Sequence, residues 1–351
     1  VARGAWEAGV AVASAYPGTP STEILENFAR YPNVYAEWAS NEKVALDVAI
    51  GAAYAGKRAL ATMKHVGLNV AADSFMYAAY TGAEAGLVVV SADDPAMHSS
   101  QNEQDNRTFA KFARVPCLEP SDSQQAKDLT IAAFGLSERF DTPVLLRLTT
   151  RICHSQSAVE LSERVEAWDG VPKPFVRNIP KYVLVPGNAI KRHPVIEQRI
   201  LDLAKLAETF PYNVIEPGDR ALGIITAGVA YQYAKEVFPT ASILRLGMTW
   251  PLPEGLIRQF ASTVDRLIVI EELDPFIEEA VRLMGLKAEG KSIFPLLSEL
   301  DPRVVRESAI AAGLLPAEAH VPLPEVEAIK LPPRPPVLCP GCPHRSSFYV
   351  L

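Results

Sequence analysis

Six short apolar runs, each followed by a segment of helical spacing, fill the first 150 residues of the chain: 10–16, 33–37, 58–63, 86–92, 115–119 and 143–148. A near-continuous apolar run of about four to eight residues suits a strand buried on both faces, and regular alternation with helices predicts a parallel sheet. Crossovers between parallel strands are right-handed, so the helices cover both faces and the expected fold is an α/β, doubly wound parallel sheet. Ligands of such sheets sit beyond the carboxyl ends of the strands. The turns that follow the runs are therefore the first places to look for chemistry.

The first of these turns is Pro17-Gly-Thr-Pro-Ser-Thr22, where Thr19 as N-cap and Pro20 at the first helical position would open a helix over 23–31. After the second run, Ser40 or Asn41 caps a helix that begins with Glu42 and is rich in small residues (Ala45, Ala49, Gly51, Ala52, Ala53), so that it can lie close to its neighbours. A carboxylate in a first helical turn is ordinarily a surface group favoured by the helix dipole; a catalytic role needs a dry setting. The third run leads into Lys64-His-Val-Gly-Leu-Asn69, with His65 at a strand end, Gly67 read as a tight turn and a helix starting near Asn69. The fourth empties into the polar stretch Asp93 to Arg107. Loops of about fifteen residues are uncommon inside a compact domain and tend to carry function or an interface. A helix over 121–138, capped by Ser121, precedes the sixth run, and Arg151 follows it, placed to meet either a substrate carboxylate or a surface carboxylate.

From about residue 151 to 220 the alternation lapses into a connecting segment with one clear helix, over 195–208. A second α/β unit of three strands then follows (222–226, 241–246 and 266–271), and residues 291–336 read as a linker ending in the stiff Leu331-Pro-Pro-Arg-Pro-Pro336. No Gly-x-Gly-x-x-Gly or Walker-type loop follows any of these strands, which counts against a dinucleotide or nucleoside triphosphate site. A net charge of -7 without a basic run argues against nucleic acid and membrane as partners, and four cysteines suit a reducing, cytoplasmic setting. Residue 1 already reads as helical and a fresh motif begins at Cys339, so the chain is expected to be part of a longer polypeptide. Cys339 and Cys342 have the Cys-x-x-Cys spacing of half a metal site, but no second pair lies nearby, and no metal ligand is assigned.

Several blocks together resemble the large subunit of the indolepyruvate:ferredoxin oxidoreductase family, among the thiamine diphosphate dependent 2-oxoacid:ferredoxin oxidoreductases. They are Tyr16-Pro-Gly-Thr-Pro-Ser-Thr-Glu-Ile24, Ser40-Asn-Glu-Lys-Val-Ala45, Met63-Lys-His-Val-Gly-Leu-Asn-Val-Ala-Ala-Asp73, the stretch 92–107, Leu246-Gly-Met-Thr-Trp-Pro-Leu-Pro253 and Cys339-Pro-Gly-Cys-Pro-His-Arg345, in colinear order. The resemblance implies a pyrimidine-binding domain over 1–155, a connecting segment over 156–214, a transketolase C-terminal-like domain over 215–290, the linker, and from 337 the start of a pyrophosphate-binding domain. It implies oxidative decarboxylation of an aryl pyruvate with coenzyme A and ferredoxin, and a smaller partner subunit assembled as a dimer of heterodimers. Mg²⁺ ligands and [4Fe-4S] clusters would lie outside this chain.

By the same resemblance Glu42 is the catalytic glutamate that hydrogen-bonds the aminopyrimidine ring of thiamine. Sharing a proton there favours the imino tautomer that deprotonates the thiazolium carbon. Thr19, Pro20, His65, Gly67 and Asn69 are implied as cofactor contacts, and Thr19 and Arg151 as substrate contacts. A non-oxidative thiamine diphosphate decarboxylase and a non-catalytic α/β scaffold are the alternatives.

Overall fold

The computed structural model describes residues 1–165, 177–322, 332 and 344–351. Its organising element is a seven-stranded sheet built from Val12–Ala15 (β1), Tyr35–Trp38 (β2), Ala59–Lys64 (β3), Leu87–Asp93 (β4), Cys117–Leu118 (β5), Val144–Thr149 (β6) and a strand from the second half of the chain. The six apolar runs thus form six parallel strands, with β3, β4 and β6 buried almost throughout. The helices are Ala2–Glu7 (α1), Thr22–Phe28 (α2), Glu42–Tyr54 (α3), His65–Val70 (α4), Ala72–Thr81 (α5), Arg107–Ala113 (α6) and Ser123–Phe140 (α7). Spatially β5, β6, β4, β3, β1 and β2 lie side by side. The chain moves outward from β1 to β2 and returns to β3 on the other side, so the strand order reverses between β1 and β3. That reversal opens a crevice beyond their carboxyl ends.

Short helices Thr150–His154 (α8) and Ile179–Tyr182 (α9) follow, then Pro186–Ala207 (α10), which starts well before the expected helix over 195–208. The second half holds Val214–Glu216 (β7), Asp219–Ala227 (β8), Ala230–Val237 (α11), Ala241–Leu246 (β9), Met248–Trp250 (β10), Glu254–Ser262 (α12), Leu267–Ile270 (β11), Phe276–Leu283 (α13) and Pro302–Ala311 (α14). Its sheet has four strands where three were expected, in the order β11-β8-β9-β7, with β7 antiparallel. β10 leaves that sheet and pairs antiparallel with β5 of the first. A buried apolar cluster runs without a break from Val88 and Leu146 through Ile224 and Ile243 to Leu300 and Val305. The two halves are therefore joined by a shared core.

Three local expectations change. The linker over 291–336 is, up to residue 319, part of the packed body: Phe294, Leu300, Val305 and Ala309 are buried, and α14 is capped by Asp301, whose side chain accepts from the Val304 N–H at 2.7 Å. The cap of α7 is Asp122, which accepts from Gln125 N–H, and not Ser121. At α2 the cap position is Ser21, not Thr19, because Ser21 donates to the Gly18 carbonyl at 2.8 Å and Thr22 accepts from Gly18 N–H at 3.0 Å. These two bonds fold a turn on Gly18 before the helix can begin. Residues 320–351 form a second body, whose described helix, His344–Val350 (α15), has no buried residue. Cys339 and Cys342 lie outside the described residues. No described helix is long and apolar enough to cross a membrane.

Candidate active site

β2 ends at Trp38, and Asn41 takes an extended conformation whose side chain accepts from Val44 N–H at 3.0 Å. That cap starts α3 at Glu42 and turns the Glu42 side chain inward, where it is 8% exposed. Ala45, Ala49 and Ala53 on the same helix are fully buried, so α3 lies close against the sheet. Among the described residues the Glu42 carboxylate accepts no hydrogen bond.

The segment after β3 departs from its expected form. No loop intervenes: Lys64 is extended and His65 is already the first residue of α4. Gly67 is helical and makes no turn. Its missing side chain serves a different end, since a β-carbon at position 67 would stand 2.7 Å from both Cγ and Oε1 of Glu42. A side chain at position 67 would push the Glu42 carboxylate out of this position, so the open face of Gly67 lets the carboxylate lie against α4. Asn69 lies exposed in the last turn of α4, and so does not cap the next helix.

The polar stretch after β4 is pinned over the strand ends along its length. The buried Asp94 accepts from Ser99 N–H (2.9 Å), the Ser100 hydroxyl (2.6 Å) and the Thr150 hydroxyl (2.9 Å). Burial alone would raise its carboxyl, but these donors hold it below the usual carboxylate range. Lys64 Nζ donates to the Ser99 carbonyl at 2.9 Å, and the Ser99 hydroxyl reaches the carbonyl of the exposed Thr19 at 3.5 Å. Burial lowers the Lys64 ammonium below the ordinary lysine value, against the charges of Asp94 and Glu42. His65 is fully buried; its Nε2 is 3.0 Å from the Asn102 carbonyl and its own carbonyl accepts from Asn106, while Nδ1 has no partner. The stretch thus ties together Thr19, Lys64, His65 and Thr150 around the crevice. Pro20 is buried beside them, joined to Thr19 by a cis peptide bond.

Arg151 is exposed and pairs with Glu299, with Nε to Oε2 at 2.9 Å, so the surface-carboxylate alternative is the one realised.

Sequence reading missed a second polar assembly at the same end of the sheet. Arg147, in the middle of an apolar strand, pairs with Asp93 (2.7 Å) and Glu119. Arg107 pairs with Asp105 and with Glu271 (2.6 Å), and donates to the carbonyls of Glu272 (2.9 Å) and Asp274 (3.1 Å). Burial would raise the Asp105 carboxyl, but Arg107 and Arg147 hold it down at about 2. Glu272 has less compensation, and burial pushes it up to about 7. Arg147 inside Pro143-Val-Leu-Leu-Arg-Leu148 was the available signal, since buried charges need partners.

Comparison with known proteins adds three findings. The sequence model described as pyruvate flavodoxin/ferredoxin oxidoreductase, thiamine diphosphate-binding, matches residues 3–206. The chain is similar over its whole length to indolepyruvate oxidoreductase subunit IorA of Archaeoglobus fulgidus (44% identical) and of Pyrococcus horikoshii (42% identical), of which it spans 59% and 58%. In structure it is similar to a 2-oxoglutarate:ferredoxin oxidoreductase from Magnetococcus marinus, with a TM-score of 0.68 at 17% identity over 88% of this chain and 63% of that one.

Proposed function

The chain belongs to the pyruvate flavodoxin/ferredoxin oxidoreductase family, and we propose that it is the part of an oxidoreductase subunit that faces the aminopyrimidine ring of thiamine diphosphate, with Glu42 as the catalytic group. The observation that carries this reading is the Glu42 carboxylate, buried against Gly67 and without a hydrogen bond among the described residues. A ring nitrogen offered by a cofactor is the partner such a carboxylate fits.

When bound, thiamine diphosphate supplies the carbon nucleophile and the electron sink for loss of carbon dioxide from a 2-oxoacid. Glu42 would share a proton with the ring nitrogen from its largely buried place between α3 and the side chain-free face of α4. Gly67 sets the depth to which the carboxylate can lie. Thr19 and Pro20 on one side of the crevice, and His65 and Asn69 on the other, line the approach of cofactor and substrate. Residues 1–155 serve as the pyrimidine-binding domain, 215–290 as the transketolase C-terminal-like domain, and 337 onward as the start of the pyrophosphate-binding domain. The Mg²⁺ ligands and [4Fe-4S] clusters are supplied from outside this chain. The overall reaction converts an aryl pyruvate of the indolepyruvate type, coenzyme A and oxidised ferredoxin to the arylacetyl-CoA, carbon dioxide and reduced ferredoxin, with a smaller partner subunit in a dimer of heterodimers. The similarity to the IorA subunits, over the whole of this chain, supports that substrate class.

The test is Glu42→Gln in the full-length subunit with its partner. Aryl pyruvate dependent ferredoxin reduction is expected to vanish while the circular dichroism spectrum stays that of the wild type. Retained turnover rejects the assignment, and free aldehyde without ferredoxin reduction in the wild type would point to a non-oxidative decarboxylase.

A further inference from the structure

Several cations stand at or near the carboxyl ends of the first sheet, and three of them from the first half of the chain are committed to carboxylates. Arg107 and Arg147 are buried on carboxylates of the charged assembly, and Arg151 is held by Glu299. Lys64 differs: it makes no ion pair among the described residues. Its stem lies against the turn after β1, where a β-carbon on Gly18 would stand 3.2 Å from Lys64 Cγ and Cδ. Its ammonium has three hydrogens to give. One goes to the Ser99 carbonyl, and the other two meet no described acceptor. The neighbouring carboxylate that could have taken them, Asp94, is already occupied by Ser99, Ser100 and Thr150. Lys64 is half-buried, within range of the charge of Glu42, and it sits where the strand order reverses between β1 and β3.

A 2-oxoacid is an anion, and on the Glu42 reading its reacting carbon must come close to a carboxyl group, with the charge of Asp94 also nearby. Some cation has to offset that repulsion and orient the substrate. We propose, resting on the Glu42 reading, that Lys64 binds the carboxylate of the 2-oxoacid substrate through the two hydrogens it does not give to Ser99. The turn after β1 guides its stem, and the Ser99 carbonyl holds its head toward the crevice. The substrate carboxylate departs as neutral carbon dioxide, so a cation that binds it acts on the ground state more than on the transition state. Losing that cation should therefore raise KM and spare kcat.

The experiment uses the full-length subunit with its partner and compares wild type with Lys64→Gln, Lys64→Arg and Glu42→Gln. Glutamine keeps an N–H for the Ser99 carbonyl and loses the charge. For K64Q the expected result is a KM for phenylpyruvate raised about 10- to 100-fold, the range of a charge-assisted hydrogen bond. Its kcat should stay within about 3-fold, its KM for coenzyme A should not change, and K64R should recover most of the loss. An unchanged KM for phenylpyruvate in K64Q overturns the proposal. So does a rise in both KM values together, which marks Lys64 as a tether of the polar stretch only. Wild-type turnover that is lost in E42Q leaves the catalytic reading standing in either case, whereas a wild type inert toward aryl pyruvates removes both assignments.

Discussion

Two groups of buried polar residues share the carboxyl end of one sheet, and they are finished to different degrees. In the group around Arg107 and Arg147 both guanidiniums are paired with buried carboxylates, those of Arg107 drawn from both halves of the chain and those of Arg147 from the first half, while Arg147 Nη2 and Glu119 Oε1 have no hydrogen-bond partner among the described residues. In the group around Glu42 the carboxylate accepts no hydrogen bond from a described residue, a lysine keeps two hydrogens unassigned and a histidine nitrogen is orphaned. The ion pairs of Arg107 fasten the two halves together. On the reading proposed above, the charges of the Glu42 group are left for a ligand.

The comparison breaks most visibly at Arg107. Arg107→Met leaves Asp105 and Glu271 buried without their cation and should cost about 3–5 kcal/mol of stability in urea unfolding of the full subunit. E42Q, measured beside it, should change stability far less, because no ion pair is lost there. Equal losses in the two variants would erase the distinction.

Glu272 sharpens it through pH. Burial raises its carboxyl from an ordinary 4.5 to about 7, so the folded state favours the neutral form. The stability tied to that proton is fully present below about pH 4.5 and is lost as pH rises through 7, by about 3 kcal/mol at most. Glu272→Gln should flatten the urea midpoint between pH 5 and 8. A slope that survives the substitution would have to come from another group.

The smallest effect belongs to the exposed cation. Arg151→Ala removes a surface pair and should shift stability by no more than about 0.5 kcal/mol. It should also leave the KM for phenylpyruvate where it was. A large KM change would transfer to Arg151 the role given to Lys64.

Much of the frame was legible because it is local. The six apolar runs are the six parallel strands, Asn41 is a cap, and Glu42 opens a helix, each from a few adjacent residues. What escaped depends on distant partners. β10 is three residues long and is a strand only because β5 lies beside it. Gly67 looked like a turn residue until Glu42 was found against its open face. Arg107 and Glu271 are 164 positions apart, a pairing no local pattern announces. The stretch after residue 291 looked like a tether because its prolines were visible and the core that receives Val305 was not.

The strand exchange carries a practical corollary for anyone who would cut this protein into modules. A polypeptide ending near residue 155 would keep Glu42 but expose the flank of Cys117–Leu118, which Met248 and Trp250 now cover. Unshielded strand flanks recruit other chains, so such a truncation trades a folded enzyme fragment for a sticky one. The seam between the halves runs along the edge of a sheet, where β10 closes the flank of β5, and the smallest piece worth purifying extends past α14.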